Sequence, residues 1–162
     1  MTRLPNGFQK LLHRILLLRP VTAFAAPGVH HIDQAIWKLT KGKFTISATL
    51  GWNIIQLTTR GAKTNQPRIM PLVGVFDCEK IALIASSFGR KHDPGWYYNL
   101  KQYPEGEVQF NGRSGKYIAH EASGQEYERY WQMSVSLYQG YERYKQRAAQ
   151  RHIPVMVLEL KT

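Results

Sequence analysis

The sequence is poor in acidic residues, cysteine and long apolar runs. Its 162 residues contain 11 Asp and Glu against 22 Lys and Arg, which gives a formal net charge of +11 at pH 7. A field of this sign attracts phosphates, nucleic acids, anionic lipids or a polyanionic cofactor. The single cysteine, Cys78, excludes an internal disulfide and a multi-cysteine metal site. Its acidic neighbours argue against a reactive thiolate.

Several catalytic sequence patterns are also missing. The six histidines show no H-E-x-x-H or similar spacing, so no metal site is predicted. Residues 61–64 lack the Gly-Lys pair and the spacing of a nucleoside-triphosphate loop. Neither a nucleophile elbow nor a recognisable nucleic-acid-binding module is present. A bound cofactor would therefore have to supply any chemistry, and nucleic acid is not an expected partner.

The first part of the chain differs from the rest. Residues 1–43 are predicted to form a basic amphipathic helical segment, and residues 44–162 a cofactor-binding domain. No apolar run reaches the ~18 residues of a transmembrane helix. In residues 8–19, apolar side chains recur at helical spacing between basic ones, which is typical of a helix on an anionic membrane surface. Packing across the barrel is the alternative. The expected location is cytoplasmic, with or without membrane association.

The remainder of the chain reads mainly as antiparallel strands. Strands are predicted at residues 52–58, 68–76, 81–86, 107–111, 116–121 and 155–160, with hairpin turns at 77–80 and at Asn111-Gly112. Ser123 and Glu126 resemble a capping box before a helix of about 25 residues that is bent near Gly140. The predicted class is α+β and mainly antiparallel β, rolled into a small barrel with flanking helices.

Two segments combine the groups that a phosphate-bearing ligand with a flat ring requires. Residues 60–68 form a glycine turn whose cations, Thr64 hydroxyl and N–H groups suit a phosphodiester. A solvated basic hairpin tip is the alternative. Residues 94–100 bring together Trp96 and Asn99, an indole wall and an amide that suit a ring with polar edges or, alternatively, a corner of the core.

Two further segments offer hydroxyl groups. Residues 86–92 place serines at a strand end, followed by Arg90 and Lys91, and a plain polar loop is the alternative. Tyr138, Tyr141 and Tyr144 recur every third residue, which on a helix keeps them near one face. Three phenols in a core would each need a partner, so the pattern predicts a substrate pocket in which a hydroxyl can donate a proton. An aromatic interaction surface is the alternative.

In order and spacing, these segments resemble the deazaflavin-dependent nitroreductase family, small split β-barrel (FMN-binding-like) proteins that bind coenzyme F420. The resemblance covers about residues 50 to 160. The matching text is Leu57-Thr58-Thr59-x-Gly61-x-Lys63-Thr64-x-x-Pro67-Arg68-x-x-Pro71-Leu72, then Ala85-Ser86, then Pro94-x-Trp96-Tyr97-x-Asn99-Leu100-Lys101, then Tyr138-x-x-Tyr141-x-x-Tyr144, then Ile153-Pro154.

The resemblance implies an oxidoreductase in which reduced F420 passes a hydride to an electron-poor acceptor such as a quinone, an enone or a nitroaromatic. The nitroreductase branch has a tyrosine where this chain has Val73, so nitroimidazole reduction is not carried over. The implied catalytic residues are Tyr138 and Ser86, and the implied substrate-binding residues are Val73, Tyr138, Tyr141 and Tyr144. The implied cofactor-binding residues are Arg60, Ala62, Lys63, Thr64, Arg68, Ile69, Met70, Pro71, Leu72, Val73, Ile84, Ala85, Ser86, Ser87, Arg90, Lys91, Gly95, Trp96, Tyr97, Tyr98, Asn99 and Tyr141.

Two alternatives to this reading stay open at the level of sequence. One is a split barrel that binds FMN, FAD or haem. The other is a non-catalytic carrier of a cofactor or lipid at a membrane surface. The sequence also leaves open the natural acceptor and the choice between a monomer and a homodimer.

Overall fold

The computed structural model describes residues 52–148 and 151–161. The predicted N-terminal segment, with its membrane contact through residues 8–19, lies outside the described residues. The boundary at residue 43 therefore stays a prediction. Across the part of the chain that is described, no helix is long and apolar enough to cross a membrane.

Seven strands and three helices occur within residues 52–148 and 151–161. The strands are β1 (Ile54–Arg60), β2 (Pro67–Val73), β3 (Val75–Asp77), β4 (Lys80–Ile84), β5 (Glu105–Phe110), β6 (Arg113–Glu121) and β7 (Val155–Leu160). The helices are α1 (Gly95–Gln102), α2 (Gly124–Leu137) and α3 (Gly140–Arg147). Every strand pair is antiparallel, in the order β2-β1-β5-β6-β7-β4-β3. The predicted fold class is confirmed.

Gly74 joins the two edges of this sheet. β2 and β3 lie at opposite ends of the strand order, yet only this residue separates them, so the sheet must curl until its edges approach. The Gly74 N–H donates to the Asn53 carbonyl at 2.8 Å. A Cβ here would lie 3.1 Å from Ile81 Cγ2 and 3.2 Å from Ile55 Cγ2. The single strand predicted over residues 68–76 is therefore wrong, because its two halves pair with different strands.

Alternation along the strands divides the apolar residues between two cores. The barrel core consists of Ile55, Leu57, Ile81, Leu83, Ala85, Trp96, Leu100, Val108, Ala119, Met156 and Leu158. The helix-side core consists of Val75, Ala82, Ile84, Ala122, Tyr127, Tyr130, Trp131, Leu137, Tyr138, Tyr141, Tyr144, Ala148, Ile153, Val155 and Val157. β4 and β7 contribute to both cores, so both of their faces are buried, whereas α1 adds Trp96 and Leu100 to the barrel core.

The turns and caps agree with the predictions in position, with one difference in contacts. The Asn111-Gly112 hairpin is confirmed, with both residues at positive φ (49° and 76°). Ser123 is the N-cap of α2, but its side chain makes no capping hydrogen bond. Glu126 instead accepts a hydrogen bond from His120 Nε2 at 2.9 Å. The predicted reciprocal capping box is therefore wrong, because the Glu126 carboxylate binds His120 on β6 instead of the backbone at Ser123.

Candidate active site

Three tyrosines from the α2–α3 junction form one buried cluster, the tyrosine cluster (Tyr138, Tyr141 and Tyr144). Their ring centroids are 5.7, 6.1 and 6.1 Å apart, and each residue is 7% exposed. The Tyr138 and Tyr144 hydroxyl oxygens are 3.5 Å apart. The predicted juxtaposition of three phenols is therefore observed.

The reason for that juxtaposition differs from the predicted helix face. The predicted long helix is two helices, and Tyr138 lies between them in an extended conformation (φ −149°, ψ 106°). Its ring folds back over Gly140, where any Cβ would overlap the ring atoms. The break and the glycine together, and not helical spacing alone, bring Tyr138 onto Tyr141 and Tyr144.

The environment keeps two of these phenols, Tyr141 and Tyr144, protonated. Burial raises the pKa of Tyr141 and of Tyr144 well above the ordinary value, and the neighbouring Tyr138 adds to both shifts. At neutral pH both side chains are therefore hydrogen-bond donors. A protonated donor in a buried site can stabilise negative charge that develops on an acceptor oxygen.

The strand-end turn, residues 86–89, lies directly against α3. A Cβ at Gly89 would be 2.7 Å from Arg147 Cβ and 2.9 Å from the Tyr144 carbonyl oxygen. The Phe88 ring meets the Tyr144 ring edge-on at a centroid distance of 5.8 Å. Ser86 itself is 9% exposed. The predicted serine segment and the tyrosine cluster thus belong to one region.

Arg151, which sequence reasoning missed, holds the loop that contains this turn. Its Nη2 donates to the Ser86 carbonyl at 3.0 Å, its Nη1 to the Ala85 carbonyl at 3.3 Å and its Nε to the Arg90 carbonyl at 3.1 Å. It also forms an ion pair with Asp93. Burial raises the pKa of Asp93, and the Arg151 guanidinium opposes that shift. The available sequence signal was a cation two residues before the matched Ile153-Pro154 pair.

The cationic turn, residues 60–68, is fastened to α1 by Asn99. The Ala62 N–H donates to Asn99 Oδ1 at 2.9 Å, and Asn99 Nδ2 donates to Thr59 Oγ1 at 2.9 Å. The Asn99 amide, which was predicted to face a ring, therefore has protein partners for both its oxygen and its nitrogen. The Ala62 N–H is likewise used within the protein, by Asn99 Oδ1. Both residues position the turn relative to the helix, and their direct contact with a cofactor stays a prediction.

The charged side chains of this turn are mostly exposed. Lys63 and Arg68 are exposed, and Arg68 Nη2 reaches Thr64 Oγ1 at 3.4 Å. Arg60 is partly engaged, because its Nε donates to Asn65 Oδ1 at 3.2 Å and its guanidinium lies 4.4 Å from the Tyr103 ring centroid. Lys63 and Arg68 are therefore the cations of this turn best placed to meet an anionic ligand.

The aromatic segment at α1 divides between core and surface. Trp96 is only 5% exposed and packs in the barrel core, as in the core-corner alternative. The Tyr97 hydroxyl donates to Glu121 Oε2 at 3.0 Å, and burial, aided by this hydrogen bond, raises the Tyr97 pKa to about 12. Gly95 and Tyr98 are exposed, so they offer the surface on this segment.

The other predicted cofactor-binding residues also divide between the surface and the two cores. Ile69 is 59% exposed on the edge strand β2, and Arg90 and Lys91 are exposed on the loop held by Arg151. Pro71 and Ser87 are half-buried. The remainder face the two cores: Met70, Leu72 and Ala85 the barrel core, and Val73 and Ile84 the helix-side core.

The hydrogen bonds and packing contacts described above therefore divide the predicted site residues into two groups. One group is the cationic turn with the start of α1, and the other is the strand-end turn with the tyrosine cluster. The loop of residues 85–93 runs from the second group to the start of α1. No cluster of three His, Cys, Asp or Glu able to hold a metal ion occurs among the described residues.

Comparison with known proteins identifies the family to which this arrangement belongs. The model of the F420H(2)-dependent quinone reductase family matches residues 31–160. An F420H(2)-dependent quinone reductase of Mycobacterium tuberculosis is 32% identical over 130 residues, which cover 78% of this chain and 87% of that protein. Two solved structures are each 35% identical over 66% of this chain. One is an F420-H2 dependent reductase (TM-score 0.61, 94% of that chain covered), and the other is described as a domain-swapped dimer (TM-score 0.62, 80% covered).

These matches confirm the predicted resemblance, the split-barrel fold and the choice of F420 over FMN, FAD or haem. The chain belongs to the F420H(2)-dependent quinone reductase family.

Proposed function

We propose that this chain reduces a quinone-type acceptor with reduced F420 at the face formed by the tyrosine cluster and the strand-end turn. The observation that carries this proposal is the group of three buried, mutually contacting phenols beside the end of β4, in a chain whose family reduces quinones. Electron-poor carbonyl oxygens need hydrogen-bond donors during reduction, and these phenols are such donors.

The exposed cations fit the anionic tail of F420. The tail carries a phosphodiester and a glutamate, and Lys63 and Arg68 on the cationic turn, with Arg90 and Lys91 on the loop after β4, are exposed side chains of opposite charge. Each charge-assisted hydrogen bond contributes about 1.5–3 kcal/mol. We assign the tail to these side chains and one edge of the ring system to the exposed part of α1. When bound, the deazaflavin supplies a hydride from C5.

The tyrosines have a definite part in the proton chemistry. Because the pKa of Tyr144 is raised by burial, this phenol is a poor proton source but a good hydrogen-bond donor. It would stabilise the oxyanion that forms as a quinone carbonyl gains the electron pair. Tyr138, whose hydroxyl lies 3.5 Å from that of Tyr144, would complete the donor pair or relay a proton from water. Ser86 is assigned to the same face, at the end of β4.

An acceptor assay with binding controls tests this function. Oxidation of F420H2 should be followed anaerobically with menadione as acceptor. Tyr138→Phe should lower kcat about a hundredfold, the lower end of the range for a proton-transfer group, and leave the Kd for F420 unchanged. Lys63→Gln should weaken F420 binding and make it less dependent on salt, without changing kcat.

Two results would contradict the proposal. One is that the protein fails to bind F420 at micromolar concentration and binds FMN instead. The other is that F420 is retained but never turned over with quinones, nitroaromatics or enones, which would favour the carrier alternative.

Assembly and location are finer proposals. A similar structure described as a domain-swapped dimer supports a homodimer over a monomer, and light scattering at several concentrations would decide between them. Peripheral membrane association through residues 8–19 at the cytoplasmic face would place the site near lipid-soluble quinones. Co-sedimentation with anionic and with neutral vesicles tests it, and equal binding to both would contradict an electrostatic contribution.

A further inference from the structure

Phe88 is a large apolar side chain that the fold leaves in solvent. It is 55% exposed, although the residues on either side of its turn are buried or packed against helix α3. Ligand-binding sites are lined predominantly by hydrophobic and aromatic side chains.

The backbone at this turn is held in an unfavourable conformation. Ser87 (φ 46°) and Phe88 (φ 57°) both lie in the left-handed region, followed by Gly89 (φ 76°). Residues other than glycine, asparagine and aspartate rarely adopt this conformation, and such outliers concentrate at ligand-binding positions. The chain therefore accepts strain to present the Phe88 ring outside the core.

Contacts on both sides hold the backbone of this turn. Arg151 binds the carbonyls of Ala85 and Ser86 before the turn and that of Arg90 after it. Gly89 packs against Arg147 and Tyr144 so closely that a Cβ would not fit. The backbone that carries Phe88 is thus held from both sides, and the ring projects from it into solvent.

The ring also extends the tyrosine cluster towards solvent. The Phe88 ring meets Tyr144 edge-on, with centroids 5.8 Å apart and an interplanar angle of 79°. The Arg90 guanidinium lies 6.0 Å from the Phe88 centroid, and the Arg147 guanidinium lies 5.8 Å from the Tyr144 centroid. An entering flat molecule would meet an aromatic surface flanked by positive charge before it reached the phenols.

We propose that Phe88 is a specificity-determining residue that selects acceptors with a fused or otherwise extended aromatic ring. This inference rests on the proposed function of the tyrosine cluster as the acceptor site. The second ring of a naphthoquinone would pack on Phe88 while its carbonyl oxygen reached the donors at Tyr138 and Tyr144. A single-ring quinone that reaches the same donors is too small to cover Phe88.

The test compares two acceptors on three variants. Phe88→Asn removes the ring but keeps a residue that tolerates positive φ, and Phe88→Gly removes it with no conformational demand. Phe88→Tyr keeps the aromatic surface. Ile118→Asn is the matched control, because Ile118 is also exposed (45%) but lies on β6. The measurements are kcat and KM for menadione and for benzoquinone, with the Kd of F420 and the Kd of menadione for the F420-loaded protein.

In Phe88→Asn and Phe88→Gly, KM and Kd for menadione should rise about tenfold, the upper end of what one aromatic contact contributes. Values for benzoquinone should change less than threefold, and kcat and the Kd of F420 should not change. Phe88→Tyr and Ile118→Asn should behave as the wild type.

Equal effects on both quinones, or no effect on either, would overturn the inference while leaving quinone reduction intact. Loss of F420 affinity with unchanged acceptor KM would also overturn it, since Phe88 would then belong to the cofactor site. Absence of turnover in the wild type would instead contradict the proposed function itself, and the Kd of menadione would still report on Phe88.

Discussion

The two cores of this protein are built from different chemistry. The buried side chains of the barrel core carry no nitrogen or oxygen atom apart from the Trp96 indole. The helix-side core contains six aromatic residues with a hydroxyl or indole N–H, and several reach specific partners. The Tyr130 hydroxyl donates to Asp77 Oδ2 at 3.2 Å, and Trp131 Nε1 donates to Glu142 Oε1 at 2.9 Å.

The difference shows how one small domain places the side chains that stabilise it and the side chains of its site in two different cores. Aliphatic burial stabilises in proportion to area and tolerates small displacements. Buried hydroxyls require directed contacts, and they are costly when those contacts are lost. The helix-side core is therefore the one in which substitutions should change geometry and activity, and the barrel core the one in which they should change only stability.

The largest effect is expected for Arg151→Met, which leaves the half-buried Asp93 without its cation and removes the hydrogen bonds to three loop carbonyls. Breaking one side of a fully buried ion pair costs about 3–5 kcal/mol. Because this pair is half-buried, its own loss should lie near the lower end of that range, and the lost hydrogen bonds add to it. Urea denaturation measures the total. The double variant Arg151→Met with Asp93→Asn should recover part of this loss. A loss below about 1 kcal/mol for the single variant would show that the loop does not depend on Arg151.

Leu158→Ala should remove about 2–5 kcal/mol, because it deletes a fully buried side chain from the barrel core. Activity measured well below the melting temperature, with saturating F420, should be unchanged. Leu160→Ala on the same strand is the control, since Leu160 is 48% exposed and should cost less than about 0.5 kcal/mol. Loss of activity in folded Leu158→Ala would contradict the proposal that substitutions in the barrel core change only stability.

Gly140→Ala should cost about 1–3 kcal/mol through overpacking, because the new methyl group occupies the space of the Tyr138 ring. The ring must leave the cluster, so quinone reduction should fall even in molecules that remain folded. Crystallography or near-UV circular dichroism would detect the displaced ring. Wild-type activity together with wild-type stability would contradict the position of Tyr138.

Tyr97→Phe should change the way the free energy of unfolding depends on pH more than it changes the free energy of unfolding at neutral pH. The Tyr97 pKa is raised from 10.0 to about 12, chiefly by burial. Stability from this group is complete below pH 10 and is lost as the pH rises towards 12, since the unfolded chain loses its proton first. Unfolding curves of the wild type and the variant should therefore converge in that window, and parallel curves would contradict the shift.

The smallest effect on stability is expected for Tyr144→Phe, at most about 1 kcal/mol. Among the described residues, the hydroxyl removed is held by a long contact of 3.5 Å with the Tyr138 hydroxyl, and the ring remains. Expressed as free energies, the loss in kcat caused by Tyr144→Phe should exceed its loss in stability. For Leu158→Ala the loss in stability should be the larger of the two. Equal stability loss in both variants would show that the two cores do not differ in the way described.

Local features of the fold were predictable because their physical causes are local. The Asn111-Gly112 hairpin follows from two residues that accept positive φ. The position of Ser123 at the N-cap of α2 follows from the preference for serine at that position of a helix. The tyrosine cluster was predictable as a group of residues close in sequence, although the helix break at Tyr138 that brings the rings together was not.

Features that depend on distant partners were not predictable. A glycine inside a strand pattern does not reveal that Gly74 changes from one sheet edge to the other. The amide of Asn99 was expected to face a ligand, and nothing near it in sequence shows that Thr59 and Ala62 are its partners. Arg151 is 58 residues from Asp93, and only the assembled loop shows why a cation is needed there.

The position of β7 has a consequence for the order in which the protein can form. β7 lies between β6 and β4 near the middle of the sheet, so among the described residues the segment 155–160 supplies the strand pairing between β2-β1-β5-β6 and β4-β3. Long-range antiparallel pairing of this kind slows folding and delays it until the pairing segment is available. Arg151 precedes β7 directly, so the loop beside the tyrosines gains its support in the same step. During synthesis, the chain should therefore acquire its site and its closed sheet together, and only after residue 160 has left the ribosome.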